Sequence, residues 1–349
     1  MPHRGTPLFS GRGFMSRWST LSDRCERGFV PVAAAIAAGR IPGAVLGVTD
    51  RSGRSAVRHA GRAQITPAPE PMRAETVFDL ASLTKPLFTT AALLRLVEAG
   101  RITLDDTLGA LIPDLRQYHV DTAPERRLRL LDVLAHHTHL PAVEPLYTLG
   151  LDPATLRAFI LQRVWAMGPP VYSDINFLLA GIVLERVTGV ALADQKLPDG
   201  FSFRPDPEAC AATEFCTWRG RVMRGAVHDE NAAAFGGAAG HAGLFGSAQA
   251  VLETAARLLR DTAADAPIRT RIHADRTVGW QAPSPGWSGS ERCSPATIGH
   301  TGFTGTGLWL DFDRGLAWTL LTNRVHPTRH ADSGIAALRR AVAEAVLGE

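Results

Sequence analysis

The chain has 349 residues, 45% of them hydrophobic, enough for one large core or two ordinary ones. Its formal net charge is +3, with acids and bases spread along the whole length, so it lacks the single-sign face that a nucleic-acid partner requires. No apolar run reaches membrane-spanning length, and residues 5–25 break repeatedly into Gly, Ser and Arg where a signal peptide would be apolar; the expectation is a cytoplasmic protein with no membrane partner and a disordered segment 1–22.

Residues 24–39 carry apolar side chains at helical spacing and read as a first helix, followed by a turn at Gly43. Residues 44–49 and 55–60 then read as two strands joined through Asp50 to Gly53, a hairpin at a sheet edge. An apolar helical stripe runs over 87–99 and stops at Gly100. Pro86 cannot donate an N–H, so it belongs in the opening turn, which is expected to be irregular or 3₁₀. From 102 to about 275 the pattern is mostly helical with loops rich in Pro, Gly and His, and looks like an insertion; one clear helical run is 177–187, ending near Gly189. Three strand-like segments, 296–302, 306–312 and 316–322, and a helix over 334–347 close the chain. This order argues for an α/β (α+β) fold: an antiparallel sheet completed by both ends of the chain, flanked by the N- and C-terminal helices, with a helical region set into it.

Four cysteines (Cys25, Cys210, Cys216, Cys293) match no standard zinc spacing and read as free thiols. Among 37 basic residues only Lys85 and Lys196 are lysine. Arginine keeps its proton inside a protein, whereas lysine can shift its pKa and relay one, so a lysine here is a chemical hint.

Ser82-Leu83-Thr84-Lys85 places an alcohol and an amine at i and i+3, on one side of a helical turn, where a desolvated amine can accept the alcohol's proton. Taken alone, the pair also fits an N-cap serine beside a solvated lysine. Val171-Tyr172-Ser173-Asp174 follows Gly168-Pro169-Pro170, which forces an extended approach, so Tyr172 emerges from a loop at a helix entrance. A cation beside a phenol favours the phenolate, which lets a Lys–Tyr pair share a proton relay; a core tyrosine with Ser173 or Asp174 as N-cap is the alternative. Gly299-His300-Thr301-Gly302-Phe303-Thr304-Gly305 lies on a strand-like segment, where glycine marks close approach of another backbone or a ligand, or else a β-bulge.

In this order the three segments resemble the serine β-lactamase and penicillin-binding family, whose motifs read Ser-x-x-Lys, Tyr-x-Asn and Lys-Thr-Gly, and especially its class C branch. The likeness runs from about 24 to 345 and includes Phe78-Asp79-Leu80-Ala81 and Ile102-Thr103-Leu104-Asp105-Asp106. It implies one catalytic unit over 23–349, with an α/β part at about 23–100 and 276–349 and a mainly helical inserted part at about 101–275. It further implies that Ser82 is acylated, that Lys85 and Tyr172 exchange its proton with the leaving group, and that the backbone N–H groups of Ser82 and Phe303 form an oxyanion hole. Asp174, His300, Thr301 and Gly302 would touch substrate.

Two positions depart from the family pattern. Asp174 stands where an amide is usual and, ionised, can only accept hydrogen bonds. His300 replaces the usual lysine and is mostly neutral at pH 7. Both weaken the expectation of an efficient β-lactamase and favour an esterase or small amidase acting through an acyl-enzyme, with a non-catalytic ligand-binding protein as the alternative. The Gly-rich stretch 236–246 and the preceding His228 and Asp229, with His241, are expected near the pocket rim, as substrate contacts or as a loop-holding hydrogen-bond network. His136, His137, His139 and His241 lack ordered zinc spacing, so no metal and no cofactor are expected.

Overall fold

The computed structural model describes residues 20–260 and 265–348. Most of the segment expected to be disordered, residues 1–19, lies outside them. Its last residues are ordered, however: helix α1 spans Leu21–Ala37 and opens on a capping box, with Asp23 N–H donating to Thr20 Oγ1 at 3.1 Å and Thr20 N–H to Asp23 Oδ2 at 3.0 Å.

The main sheet has six strands in the order β3-β2-β1-β11-β10-β9, each antiparallel to its neighbours. Strands β1 (Gly43–Asp50), β2 (Ser55–Gln64) and β3 (Glu70–Pro71) come from the first part of the chain; β9 (Thr297–Thr301), β10 (Gly307–Asp311) and β11 (Leu316–Thr322) come from the last. The expected hairpin forms, but β1 is interior, paired with β11 on its other side. Alternation along β1 explains why it is buried on both faces. Ala44, Leu46 and Val48 join the core under α1 and the closing helix α10 (Ile335–Leu347), together with Trp309 and Trp318, which stack at 5.9 Å across β10 and β11. Val45 faces the opposite layer, the larger core, with Leu308, Leu310, Ala317 and Leu321.

The larger core is built mainly by the middle of the chain. Helices α2 (Ala91–Glu98), α3 (Leu108–Leu111), α4 (Leu130–Leu134), α5 (Pro153–Gln162), α6 (Asp174–Thr188), α7 (Glu230–Ala234), α8 (Ala248–Leu258) and α9 (Ala266–Arg269) are joined by long loops and short 3₁₀ turns. A hairpin of β6 (Phe215–Cys216) and β7 (Arg221–Val222) lies there too, as does a small sheet in which β8 (Phe245–Ser247) sits between β4 (Val77–Asp79) and β5 (Phe201–Ser202). Helix α8, capped by Ser247 as its sequence indicates, packs directly on β1 and β11, where a Cβ at Gly47 would stand 2.5 Å from Leu252. The middle of the chain therefore supplies one of the layers that cover the main sheet. All four cysteines are free, and among the described residues no helix is long and apolar enough to cross a membrane.

Strand β4 and the turn after it lead into the loop that holds the candidate nucleophile. Across from it, Gly240 lies flat against α6: a Cβ there would sit 1.9 Å from the Phe177 carbonyl oxygen and 2.9 Å from Gly181 N. Backbone on both sides leaves nothing free to yield. Gly240→Ala is expected to cost at least about 2 kcal/mol, read as a lower urea midpoint with unchanged slope. It should also lower activity, because the Gly240 carbonyl accepts from Thr89 Oγ1 at 2.7 Å and the next carbonyl, of His241, accepts from Lys85. A wild-type midpoint would show that this loop can move away from α6.

Candidate active site

Ser82 sits in a single 3₁₀ turn, Ala81–Leu83, that runs into a π-helical turn over Lys85–Thr90 before α2 begins. The turn that holds Pro86 is irregular, as expected, but it is π-helical and not 3₁₀, and the π turn has no signal of its own in the sequence. Ala81 adopts φ +47, rare for a residue with a side chain, and buried groups hold it there. The Asp79 carboxylate accepts from Ala81 N at 2.8 Å and from His228 N at 2.6 Å, Thr304 Oγ1 donates to the Asp79 carbonyl at 2.8 Å, and Thr306 Oγ1 donates to the Leu80 carbonyl at 3.0 Å. Asp79 is buried, which raises its pKa above the usual carboxyl value. Gly302 faces this turn so closely that a Cβ would lie 2.5 Å from the Leu80 oxygen, the close approach that glycine in this strand implied.

The amine of Lys85 is completely buried and lies 2.9 Å from Ser82 Oγ, to which it donates; it also donates to the His241 carbonyl at 3.2 Å. A solvated lysine is thereby ruled out. Asp174 Oδ1 stands 2.7 Å from the same amine. Tyr172 leans on it as well, with Nζ 4.9 Å from the ring centroid. Burial by itself pushes the amine's pKa down, but the Asp174 carboxylate and the Tyr172 phenol outweigh it, and the pKa stands above the ordinary lysine value. Lys85 is therefore an ammonium, not the free base that its desolvation alone would give.

Tyr172 is fixed from below by His136, whose ring lies 4.4 Å away and whose Nδ1 accepts from Ser173 N at 3.0 Å. Ser173 is the N-cap of α6, accepting from Asn176 N at 3.3 Å. His300 approaches the far side of the phenol at 5.9 Å, and the Arg276 guanidinium lies 5.5 Å from its centroid. Burial, together with the positive charges of Lys85 and Arg276, holds both His136 and His300 well below the usual histidine pKa, so both are neutral at pH 7.

These groups border a cavity of about 690 Å³ lined by Ser82, Tyr172, Asp174, His228, Asp229, His300, Thr301, Gly302 and Phe303, among others. Every candidate residue from the sequence thus lies at one place except His241, which was expected on the rim. It is buried behind the wall, its Nε2 2.9 Å from Asp229 Oδ1, because the glycines around it let this loop fold under α6. His228 and Asp229 do line the cavity while serving the loop: Asp229 caps α7 through Ala232 N at 2.7 Å, and His228 stacks on Phe303 at 5.6 Å. Burial opposes ionisation of Asp229, but the charge and hydrogen bond of His241 prevail and hold its pKa well below the usual carboxylate range. The Phe303 N–H makes no hydrogen bond among the described residues, while the Phe303 side chain stays about half exposed at the mouth.

Four arginines of the cavity carry no mark in the sequence: Arg276, Arg324, Arg329 and Arg339. In a chain this rich in arginine no local motif distinguishes them. Arg329 is neutralised by Glu214 and Glu230. Arg339, from α10, donates to the Gly302 and Thr306 carbonyls at 2.8 and 2.7 Å, is 8% exposed, and has no acidic partner among the described residues. Burial, with a smaller contribution from Arg324, pushes its pKa down to about 9, which leaves it charged at neutral pH.

Among the described residues, two clusters offer metal-type ligand atoms within 4.8 Å of one another: Asp174 with Asp229 and His241, and Glu214 with Cys216 and Glu230. Each already holds a side-chain cation, Lys85 in the first and Arg329 in the second. The remaining histidines of the 136–139 run pack or bond locally: His137 stacks on His273 at 3.7 Å, and His139 Nδ1 meets the Gly168 carbonyl at 2.6 Å.

Comparison with known proteins gives a consistent picture. Residues 31–343 match the family described as Beta-lactamase. The chain is 31% identical, over 353 aligned positions, to the N-acetylmuramyl-L-alanine amidase of Bacillus subtilis (strain 168), covering 83% of this chain and 79% of that protein. It is 29% identical over 304 positions to a provisionally assigned D-alanyl-D-alanine carboxypeptidase of Salmonella agona (strain SL483), covering 72% of this chain and 70% of that one. Its fold is similar to that of a class C beta lactamase from Rhodobacter sphaeroides, with a TM-score of 0.66 at 20% identity, over 89% of this chain and 97% of the other.

Proposed function

The chain belongs to the Beta-lactamase family of serine hydrolases, and from that premise we propose that it is an amidase or peptidase acting on small carboxylate-bearing fragments of the peptidoglycan type. Ser82 Oγ attacks the carbonyl carbon, the N–H groups of Ser82 and Phe303 receive the developing oxyanion, and the amine leaves to give an ester on Ser82 that water then hydrolyses. The observation that carries the substrate class is Arg339. A buried guanidinium bonded only to neutral carbonyls is costly, and a substrate carboxylate arriving beside Gly302 would complete it with a charge-assisted hydrogen bond. Arg324, also without an acidic partner among the described residues, donates to the Phe303 carbonyl and adds to the same positive wall. The names of the two curated relatives, an amidase and a carboxypeptidase, favour an amide over a simple ester. Because the ionised carboxylate of Asp174 cannot donate to an acyl-side carbonyl, β-lactams are expected to be poor substrates.

Arg339→Ala is expected to raise KM for a carboxylate-bearing D-aminoacyl amide by roughly 10- to 100-fold, the worth of a hydrogen bond to a charged group, while a neutral p-nitrophenyl ester is turned over almost as before. Equal losses on both substrates would remove the carboxylate from this reading.

A further inference from the structure

The departure at Asp174 has a chemical consequence of its own. An amide in that place could hold Lys85 by a hydrogen bond but could not accept a proton. Here a carboxylate oxygen lies 2.7 Å from Nζ, and that amine lies 2.9 Å from the Ser82 oxygen, so one cation bridges the alcohol and the carboxylate. Asp174 Oδ1 is buried, and apart from Lys85 no hydrogen-bond donor reaches it among the described residues. The contact with Lys85 is a charge pair, not an aligned hydrogen bond, so transfer along it takes a small turn of the carboxylate.

We propose that Asp174, acting through the Lys85 ammonium, is the terminal acceptor of the Ser82 proton during acylation. This rests on Ser82 being the nucleophile. As the Oγ–C bond forms, one N–H of Lys85 breaks toward Asp174, and the Ser82 O–H bond breaks toward the lone pair this frees on Nζ, leaving Lys85 an ammonium and Asp174 a neutral acid. When the tetrahedral intermediate collapses, the C–N bond breaks and the leaving nitrogen takes that proton back through Lys85 or the Tyr172 hydroxyl. Attack by water repeats the exchange with water in place of Ser82, and the Lys85–Asp174 ion pair is restored after each half.

The test is Asp174→Asn, which recreates the family's usual Tyr-x-Asn while keeping a group that can hydrogen-bond to Lys85. We expect kcat/KM to fall at least about 100-fold, most of it in kcat, as for loss of a general base. The residual activity should rise toward alkaline pH, because Lys85 without its carboxylate can give up a proton and serve as the base itself. Tyr172→Phe, which leaves the bridge intact, should cost less. Wild-type turnover and pH profile in Asp174→Asn, with or without faster acylation by a labelled penicillin, would overturn the proposal and mark Asp174 as a mere replacement for the amide. If the assignment of Ser82 is what fails, the signature differs: Ser82→Ala would retain turnover and fluorophosphonate labelling.

Discussion

Ser82→Ala is expected to abolish covalent labelling by a fluorophosphonate or a labelled penicillin and to lower turnover of any accepted ester or amide by at least about a thousandfold. The expectation follows from geometry: Ser82 Oγ is the hydroxyl on the cavity wall that Lys85 touches, on a turn whose unusual Ala81 conformation is pinned by Asp79, Thr304 and Thr306. That turn does not depend on the serine side chain, and Lys85 keeps the His241 carbonyl and Asp174 when the hydroxyl is gone. Thermal stability should therefore stay near wild type, which separates lost chemistry from lost structure. Equal labelling of both proteins would move the nucleophile elsewhere.

The largest combined effect on stability and activity is expected at Lys85→Met. Methionine fills a similar volume but strands the Asp174 carboxylate; because that side chain is 21% exposed to the cavity, the cost should fall below the about 3–5 kcal/mol typical of breaking a fully buried ion pair. Turnover should vanish in the same variant because nothing then connects Ser82 to a proton acceptor. The sign with pH is definite: the amine's pKa is raised above its ordinary value, so its stabilising contribution is full below that value and is lost only as the pH climbs beyond it into the strongly alkaline range. Adding Asp174→Leu should recover much of the urea midpoint and none of the activity, a coupling read directly from a double-mutant cycle. A Lys85→Met variant as stable as wild type would mean that Asp174 does not depend on the amine.

Much of the site is legible in the sequence because its parts are local. Ser82 and Lys85 are linked by helical spacing, Tyr172 and Asp174 by a loop that Pro169 and Pro170 force open, and Gly302 by the rule that glycine in a strand permits close approach. The scarcity of lysine singles out Lys85 by composition alone. Other features leave no such trace. Arg339 is one arginine among many on a helix read from its apolar face, and only the packing of α10 beside α1 and β11 brings it to Gly302. Asp79, part of the family likeness, gives no local sign that it supports Ala81 and receives His228 N from 149 positions along the chain.

What the sequence determined by itself was the strands and helices of the main sheet layer and a set of candidate reacting groups, since periodicity, capping and spacing act over a few residues; the short strands between 201 and 247, in a stretch read as mostly helical, were not among them. Even there its reach ended at α8, whose helix and N-cap are readable but whose place on β1 and β11 is not. What only the tertiary structure decided was the state of charge. Desolvation alone makes Lys85 an amine able to act as a base, yet it is an ammonium, because Asp174, 89 positions later in the sequence, stands 2.7 Å from an amine that water does not reach. Protonation depends on every charge within a few ångströms, and those neighbours are set by packing, not by order along the chain.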